Sequence, residues 1–215
     1  MSTQVQRPGA GEWVPGRLSL RSLRRGVQEC RGCELYREAT QAVMGAGRAR
    51  AELLVLGEQP GDQEDRAGKP FVGPAGKLLD RALADAGIEP GSVYRTNVVK
   101  HFRFETRGKQ RIHKGPSRVH VTACGPWLVA ELDLVRPTGV MVLGGTAGKA
   151  IYGSGFKVGE ARGELRSWPD GPEDHHRPEW VLPTTHPSAV LRSRNRDEDY
   201  QRLVDDLGVA ANVLG

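Results

Sequence analysis

Four short apolar runs constrain the fold of this chain more than any other feature. They fall at residues 52–56, Val93–Val99 (VYRTNVV), Gly139–Leu143 (GVMVL) and Trp180–Pro183 (WVLP). Each has the length and the aliphatic or β-branched content of a buried strand. Helical patterns fill the intervals. Pro74–Ala86 places Leu78, Leu79, Ala82, Leu83 and Ala86 on one face and ends at Gly87, a stop signal. Arg118–Leu134 reads as a helix carrying Cys124, stopped before Pro137, and Gly144-Gly145-Thr146 opens another over 146–152. Leu18–Glu29 has helical character, and Asp197–Leu207 closes the chain as a helix. Strands alternating with helices predict an α/β fold, a three-layer α/β/α sandwich around a central, mostly parallel, four-stranded sheet. Residues 1–17 read as an N-terminal arm and 18–215 as one domain, a size that supports a substantial core. Residues 100–117 read as a long basic loop, and 153–179 as irregular with one short edge strand near 162–168.

Chemistry in such a sheet collects beyond the carboxyl ends of its strands. The segment Gly57–Gly73, GEQPGDQEDRAGKPFVG, follows the first run directly. It sets Glu58, Gln59, Asp62, Glu64, Asp65 and the aromatic Phe71 among glycines, which reads as an active-site loop; the competing reading is a solvated acidic turn. Asn97 ends the second strand, and His186 follows the last one in Thr184-Thr185-His186-Pro187-Ser188. Asn97 offers both donors and an acceptor, or else simply forms a turn. The loop 100–117 holds Lys109, Arg111, His113 and Lys114; on residue type alone, His113 there reads as a phosphate contact. Ser188, Arg192 and Arg194 can grip a phosphate-bearing partner or begin a solvated helix.

The net charge of +5 rests largely on arginine, which suits a phosphate-bearing partner. No stretch is long and apolar enough to span a bilayer, and the first residues, MSTQVQRPGAGEWVPG, lack the apolar core of a signal peptide. The expectation is a cytoplasmic, nucleoid-associated chain acting as a monomer, without contact to a membrane. Three cysteines cannot all pair with one another. Cys30-x2-Cys33 reads as a redox pair, half a zinc site or half an iron–sulfur site. With Cys124 it leaves three thiols wanting a fourth ligand, for which His101 is the best placed; His175 and His176 lie in a polar loop. Zinc, a four-iron cluster and unligated core cysteines all stay open on residue types.

Taken in order, GEQPG, KPFVGPAGKLLD, TNVVK, the three cysteines, LGGTAGKA and THPSAVLR resemble the family 4 uracil-DNA glycosylases over about residues 25–207. Within that family the chain looks most like the UdgX branch. Gln59 stands where family 4 usually has a small residue, and His101 stands where it has its third cluster cysteine. Lys109-Gln110-Arg111-Ile112-His113 looks like the branch signature KRRIH, with Gln110 replacing an arginine. The resemblance implies the uracil-DNA glycosylase fold, a [4Fe–4S] cluster on Cys30, Cys33, His101 and Cys124, and uracil-containing DNA as partner. In that branch the signature histidine, here His113, attacks the sugar and stays joined to the DNA.

On that resemblance the nucleotide must be flipped into a pocket. Phe71 would stack on the base, Asn97 would read its edge, and His186 would hold uracil O2 as charge develops. Asp65, Arg111, Ser188 and Arg192 are further substrate-binding candidates. Glu58 would orient His113 as a nucleophile attacking sugar C1′, and Gln59 and Asp62 would position sugar or water. Two other readings stay open: a multiple-turnover hydrolytic glycosylase in which His113 binds phosphate, and a non-catalytic DNA-damage-binding module.

Overall fold

The computed structural model describes residues 7–170 and 174–214. Residues 1–6 of the expected arm and 171–173 of the expected irregular stretch lie outside the described residues. The apolar runs form β1 (Leu53–Gly57) and β2 (Tyr94–Asn97), with β5 (Gly139–Leu143) and β6 (Trp180–Thr184) further along. They make one four-stranded sheet in the order β2-β1-β5-β6, and every ladder is parallel. Between β2 and β5 lie β3 (Phe104–Arg107) and β4 (Gln110–His113), an antiparallel hairpin standing apart from the main sheet.

Helices cover both faces. Alternate strand residues divide the core as a period of two requires. Leu54, Leu56, Val140, Val142 and Val181 pack with α1 (Leu20–Glu29), α4 (Arg118–Val135) and α5 (Gly144–Tyr152). Leu53, Val55, Met141, Leu143 and Leu182 pack on the other face with α3 (Pro74–Asp85), α7 (Pro187–Arg192) and α8 (Arg196–Leu214). Two short helices complete the set, α2 (Asp62–Ala67) and α6 (Val158–Ala161). From β1 the chain crosses by α3 to β2 at one side, then returns by α4 to β5 at the other. The loops after β1 and β5 therefore diverge, leaving the crevice expected where strand order reverses.

Four expectations change. Residues 100–117 are not one long loop: Gly108, at φ 59°, starts a two-residue turn that folds β3 onto β4. The acidic segment is not all loop, since α2 occupies part of it and Glu64 caps it by accepting from the backbone N–H of Gly61 (3.1 Å) and Gly73 (2.7 Å). The edge strand near 162–168 reduces to a single antiparallel bridge, Arg166 to Val181. A helix, α7, follows His186, where the sequence offers a helix start only as the alternative reading of Ser188, Arg192 and Arg194, and α8 runs past Leu207 to Leu214. The described part of the arm is tied down. Gly9 N–H donates to Gly32 O (3.1 Å) and Ala10 N–H to Ala123 O (2.8 Å). Among the described residues, no helix is long and apolar enough to cross a membrane.

Candidate active site

The ends of the four parallel strands and the hairpin meet at a cavity of about 590 Å³. Glu58 and Gln59 enter it from the end of β1 and Asn97 from β2. Gly144, Gly145 and Thr146 come from the end of β5, and His186, Ser188 and Arg192 from the end of β6. Phe71 lines its floor and His113 reaches it from β4. Residues far apart in sequence converge here because parallel strands place all their carboxyl ends on one edge.

Close backbone approach makes room for these groups. A Cβ on Gly57 would lie 2.4 Å from Asn97 Oδ1 and 2.7 Å from Phe71 Cζ, so only glycine lets both side chains share this space. Phe71 itself has φ 57°, a left-handed conformation that costs free energy in a bulky residue. Its carbonyl oxygen would be 1.8 Å from a Cβ on Gly76, so Gly76 is what permits the bend. The bend sets the Phe71 ring against that of His186, with centroids 6.4 Å apart and planes 26° from parallel.

His186 is held by the start of α7. Ser188 N–H donates to His186 Nδ1 (3.1 Å), and Ser188 Oγ lies 2.8 Å from the same atom. A ring that accepts at Nδ1 carries its proton on Nε2 when neutral. Burial, followed by the charges of Arg192 and His113, pushes the His186 pKa down to about 4. An unfolded chain protonates this histidine near its ordinary 6.5, so it binds more protons than the native state between those values. Stability is therefore expected to fall as pH drops from 6.5 toward 4, by on the order of 2 kcal/mol from this group alone. Urea unfolding at pH 7 and pH 4.5 checks this; an unchanged midpoint would contradict it.

His113 is half exposed, and its Nε2 lies 3.3 Å from Glu58 Oε1 and 3.0 Å from Gln59 Nε2. The Gln59 amide has one orientation. Its Oε1 accepts from Arg103 N–H (3.2 Å), so its NH2 faces His113 and the carbonyls of Arg103 and Lys114 (3.1 Å each). The other carboxylate oxygen of Glu58 accepts from the Thr146 hydroxyl, a contact absent from the sequence reading. The only signal for Thr146 is its position just past the third apolar run.

Asp62, Asp65 and Arg111 lie outside the cavity lining and hold one another. Arg111 Nε donates to Asp62 Oδ1 (2.5 Å) and Nη1 to Asp65 Oδ2 (2.7 Å) and Thr40 Oγ1 (3.1 Å). The Arg111 guanidinium also covers the rings of Phe102 and Phe104, 5.5 and 5.0 Å from their centroids. Asp65 is fully buried and accepts from Thr40 N–H as well. These contacts fasten β4 to α2.

Cys30, Cys33 and Cys124 are buried and unpaired. Two N–H groups point at the sulfurs: Trp127 Nε1 donates to Cys30 Sγ (3.4 Å) and Lys100 N to Cys124 Sγ (3.3 Å). Burial pushes the Cys124 thiol up to about 12 and raises that of Cys33. His101 is also buried, which pushes its pKa down to about 4, with Arg31 adding to the effect. A neutral imidazole and three free thiols, with donors aimed at sulfur, fit an iron–sulfur centre in donor chemistry. Among the described residues no group of three or more His, Cys, Asp and Glu side chains is arranged so that it could hold a metal ion.

Lys100 joins this region to the cavity. Its Nζ, fully buried, donates to Glu131 Oε2 (2.6 Å), Thr96 Oγ1 (2.7 Å) and Asn97 O (2.7 Å). Glu131 Oε1 accepts from Gly45 N–H (2.9 Å) and Tyr94 OH (3.0 Å). A buried ion pair with its remaining lone pairs satisfied fixes the end of β2, and with it Asn97.

The sheet order, the crevice and its lining define an α/β protein with a candidate active site beyond the carboxyl ends of a four-stranded parallel sheet. Residues 44–208 match the uracil DNA glycosylase superfamily, and the chain belongs to that family. It is 34% identical to the type-4 uracil-DNA glycosylase of Thermotoga maritima, over 87% of this chain and 91% of that protein. It is 33% identical to the type-4 uracil-DNA glycosylase of Sulfurisphaera tokodaii, over 86% of this chain and 83% of that one. That of Archaeoglobus fulgidus is also 33% identical, over 85% and 88% respectively.

Proposed function

We propose that this protein excises uracil from DNA, preferring single strands, and is then trapped on the sugar through His113. The observation that carries the reading is the position of the His113 imidazole on the same cavity as Glu58, Asn97 and His186. The family match and the KQRIH sequence on β4 support it.

In this reading an extruded uracil stacks on Phe71, and the Asn97 amide pairs with its polar edge. The base leaves as an anion, and His186 donates its Nε2 hydrogen to O2. Because the ring stays neutral near pH 7, it stabilises that charge by hydrogen bonding. The C1′–N1 bond breaks with its electron pair on uracil, leaving an oxocarbenium-like sugar. Glu58, anchored by Thr146, offsets this positive charge. The Gln59 amide faces His113 Nε2 as a donor, which puts the ring proton on Nδ1. As the sugar approaches, the amide keeps its bonds to the Arg103 and Lys114 carbonyls and gives up the one to Nε2, releasing that lone pair. That pair bonds to C1′; the Nδ1 proton is lost and uracil gains one, so atoms and charge balance. Asp62 and Asp65 act through Arg111 to hold the hairpin that carries His113, and Ser188 and Arg192 hold the strand. Incubation with uracil-containing single-stranded oligonucleotide and a denaturing gel tests the proposal: a heat-stable shifted band is expected, and intact uracil DNA with no band overturns it.

Cys30, Cys33, His101 and Cys124 would hold a [4Fe–4S] cluster, which would supply a structural clamp between α1, β2 and α4. The protein is expected to purify brown with broad visible absorption, and Cys33→Ser to lose most of that colour. Colourless protein containing one zinc per chain would contradict the assignment.

A further inference from the structure

A second depression, of about 650 Å³, opens beside the cavity and shares Thr146 with it. It runs between the start of α4 and the end of α5, within the size range of ligand clefts. Pro116, Val121, Leu128 and Ile151 give it apolar walls, and Arg118 and Lys149 are its two charged lining residues. Both cations are exposed, neither has an acidic partner among the described residues, and no Asp or Glu lines the groove. Arg118 also lies at the first position of an 18-residue helix with no acid in its first turn. A cation there faces the positive end of the helix dipole, an unfavourable placement that a bound anion would offset.

We infer that this groove binds the single-stranded DNA flanking the extruded nucleotide on one side. Bases would lie against the apolar walls, and phosphates would pair with Arg118 and Lys149. The inference rests on the glycosylase reading for its partner. Charge complementarity and continuity with the cavity through Thr146 choose DNA over a peptide or a second copy of the chain. Single-stranded binding elsewhere joins a cationic track for the backbone to side chains, commonly aromatic, on which the bases lie; here aliphatic side chains supply that surface.

The test measures the affinity of fluorescein-labelled thymine oligonucleotides by anisotropy, so no excision is required. The double variant R118A/K149A is expected to bind about ten-fold more weakly than the unaltered protein and to lose roughly one unit of salt slope. A control, R48A/R50A, removes the same charge from exposed residues beside β1's start, at the opposite end of the sheet, and is expected to bind as before. Unchanged affinity in R118A/K149A, or an equal loss in the control, overturns the groove. In parallel, uracil oligonucleotides extended on the 5′ side only or the 3′ side only are expected to react at different rates, and R118A/K149A to remove that difference. If the anisotropy difference holds while no protein excises uracil, the groove stands and the glycosylase reading falls.

Discussion

Replacing His113 with alanine is expected to remove the DNA-linked band from a denaturing gel while leaving DNA binding within a few-fold. The magnitude follows from competition for one cation. An imidazole fixed beside C1′ acts at an effective concentration of about 10⁵ M or more, against about 55 M for water, so capture outruns hydrolysis by roughly 10³-fold. Without the ring only water remains. His113→Ser should go further and turn over repeatedly, because a small hydroxyl leaves space for a water at the mouth of the cavity. The His113 side chain is 51% exposed and contributes little to the core, so both variants should fold. Quantifying band and abasic product together checks this; a variant that keeps the band places the bond on another residue.

Glu131→Ala is expected to be the most damaging single change in stability. It strands the Lys100 ammonium in a site with no solvent exposure and removes the acceptor for Tyr94 OH and Gly45 N–H. Breaking a buried pair from one side costs about 3–5 kcal/mol. At about 2–4 °C per kcal/mol for a chain of this length, the midpoint should fall by roughly 6–20 °C. Replacing both partners, as in K100M/E131L, should recover much of the loss, since no charge is left unpaired. Thermal unfolding followed by circular dichroism measures both, and a shift under about 2 °C in Glu131→Ala would contradict the role given to the pair.

The sheet was legible because strands covered on both faces must be apolar throughout, and β1 and β5 are. The hairpin was not, for the opposite reason. Its strands are mostly exposed, so β3 and β4 show charge where a strand pattern would show alternation. Helix α7 is six residues long, too short for a helical period to appear. Glu58, Gln59, Phe71, Asn97, His186, Ser188 and Arg192 were named from places beyond strand ends and His113 from its likeness to the branch signature, and all eight share one lining. Asp62 and Asp65 show what such reasoning misses. Both follow the same strand, yet they turn to Arg111, 49 and 46 residues away, a pairing that nothing in the local sequence announces.

The intact mass of the reaction product tests the central claim most directly. After the protein meets an excess of uracil-containing single-stranded oligonucleotide, the account predicts one species whose mass is protein plus oligonucleotide less one uracil, at one adduct per chain, with the modified peptide containing His113. Protein of unchanged mass beside many abasic strands per molecule would contradict it.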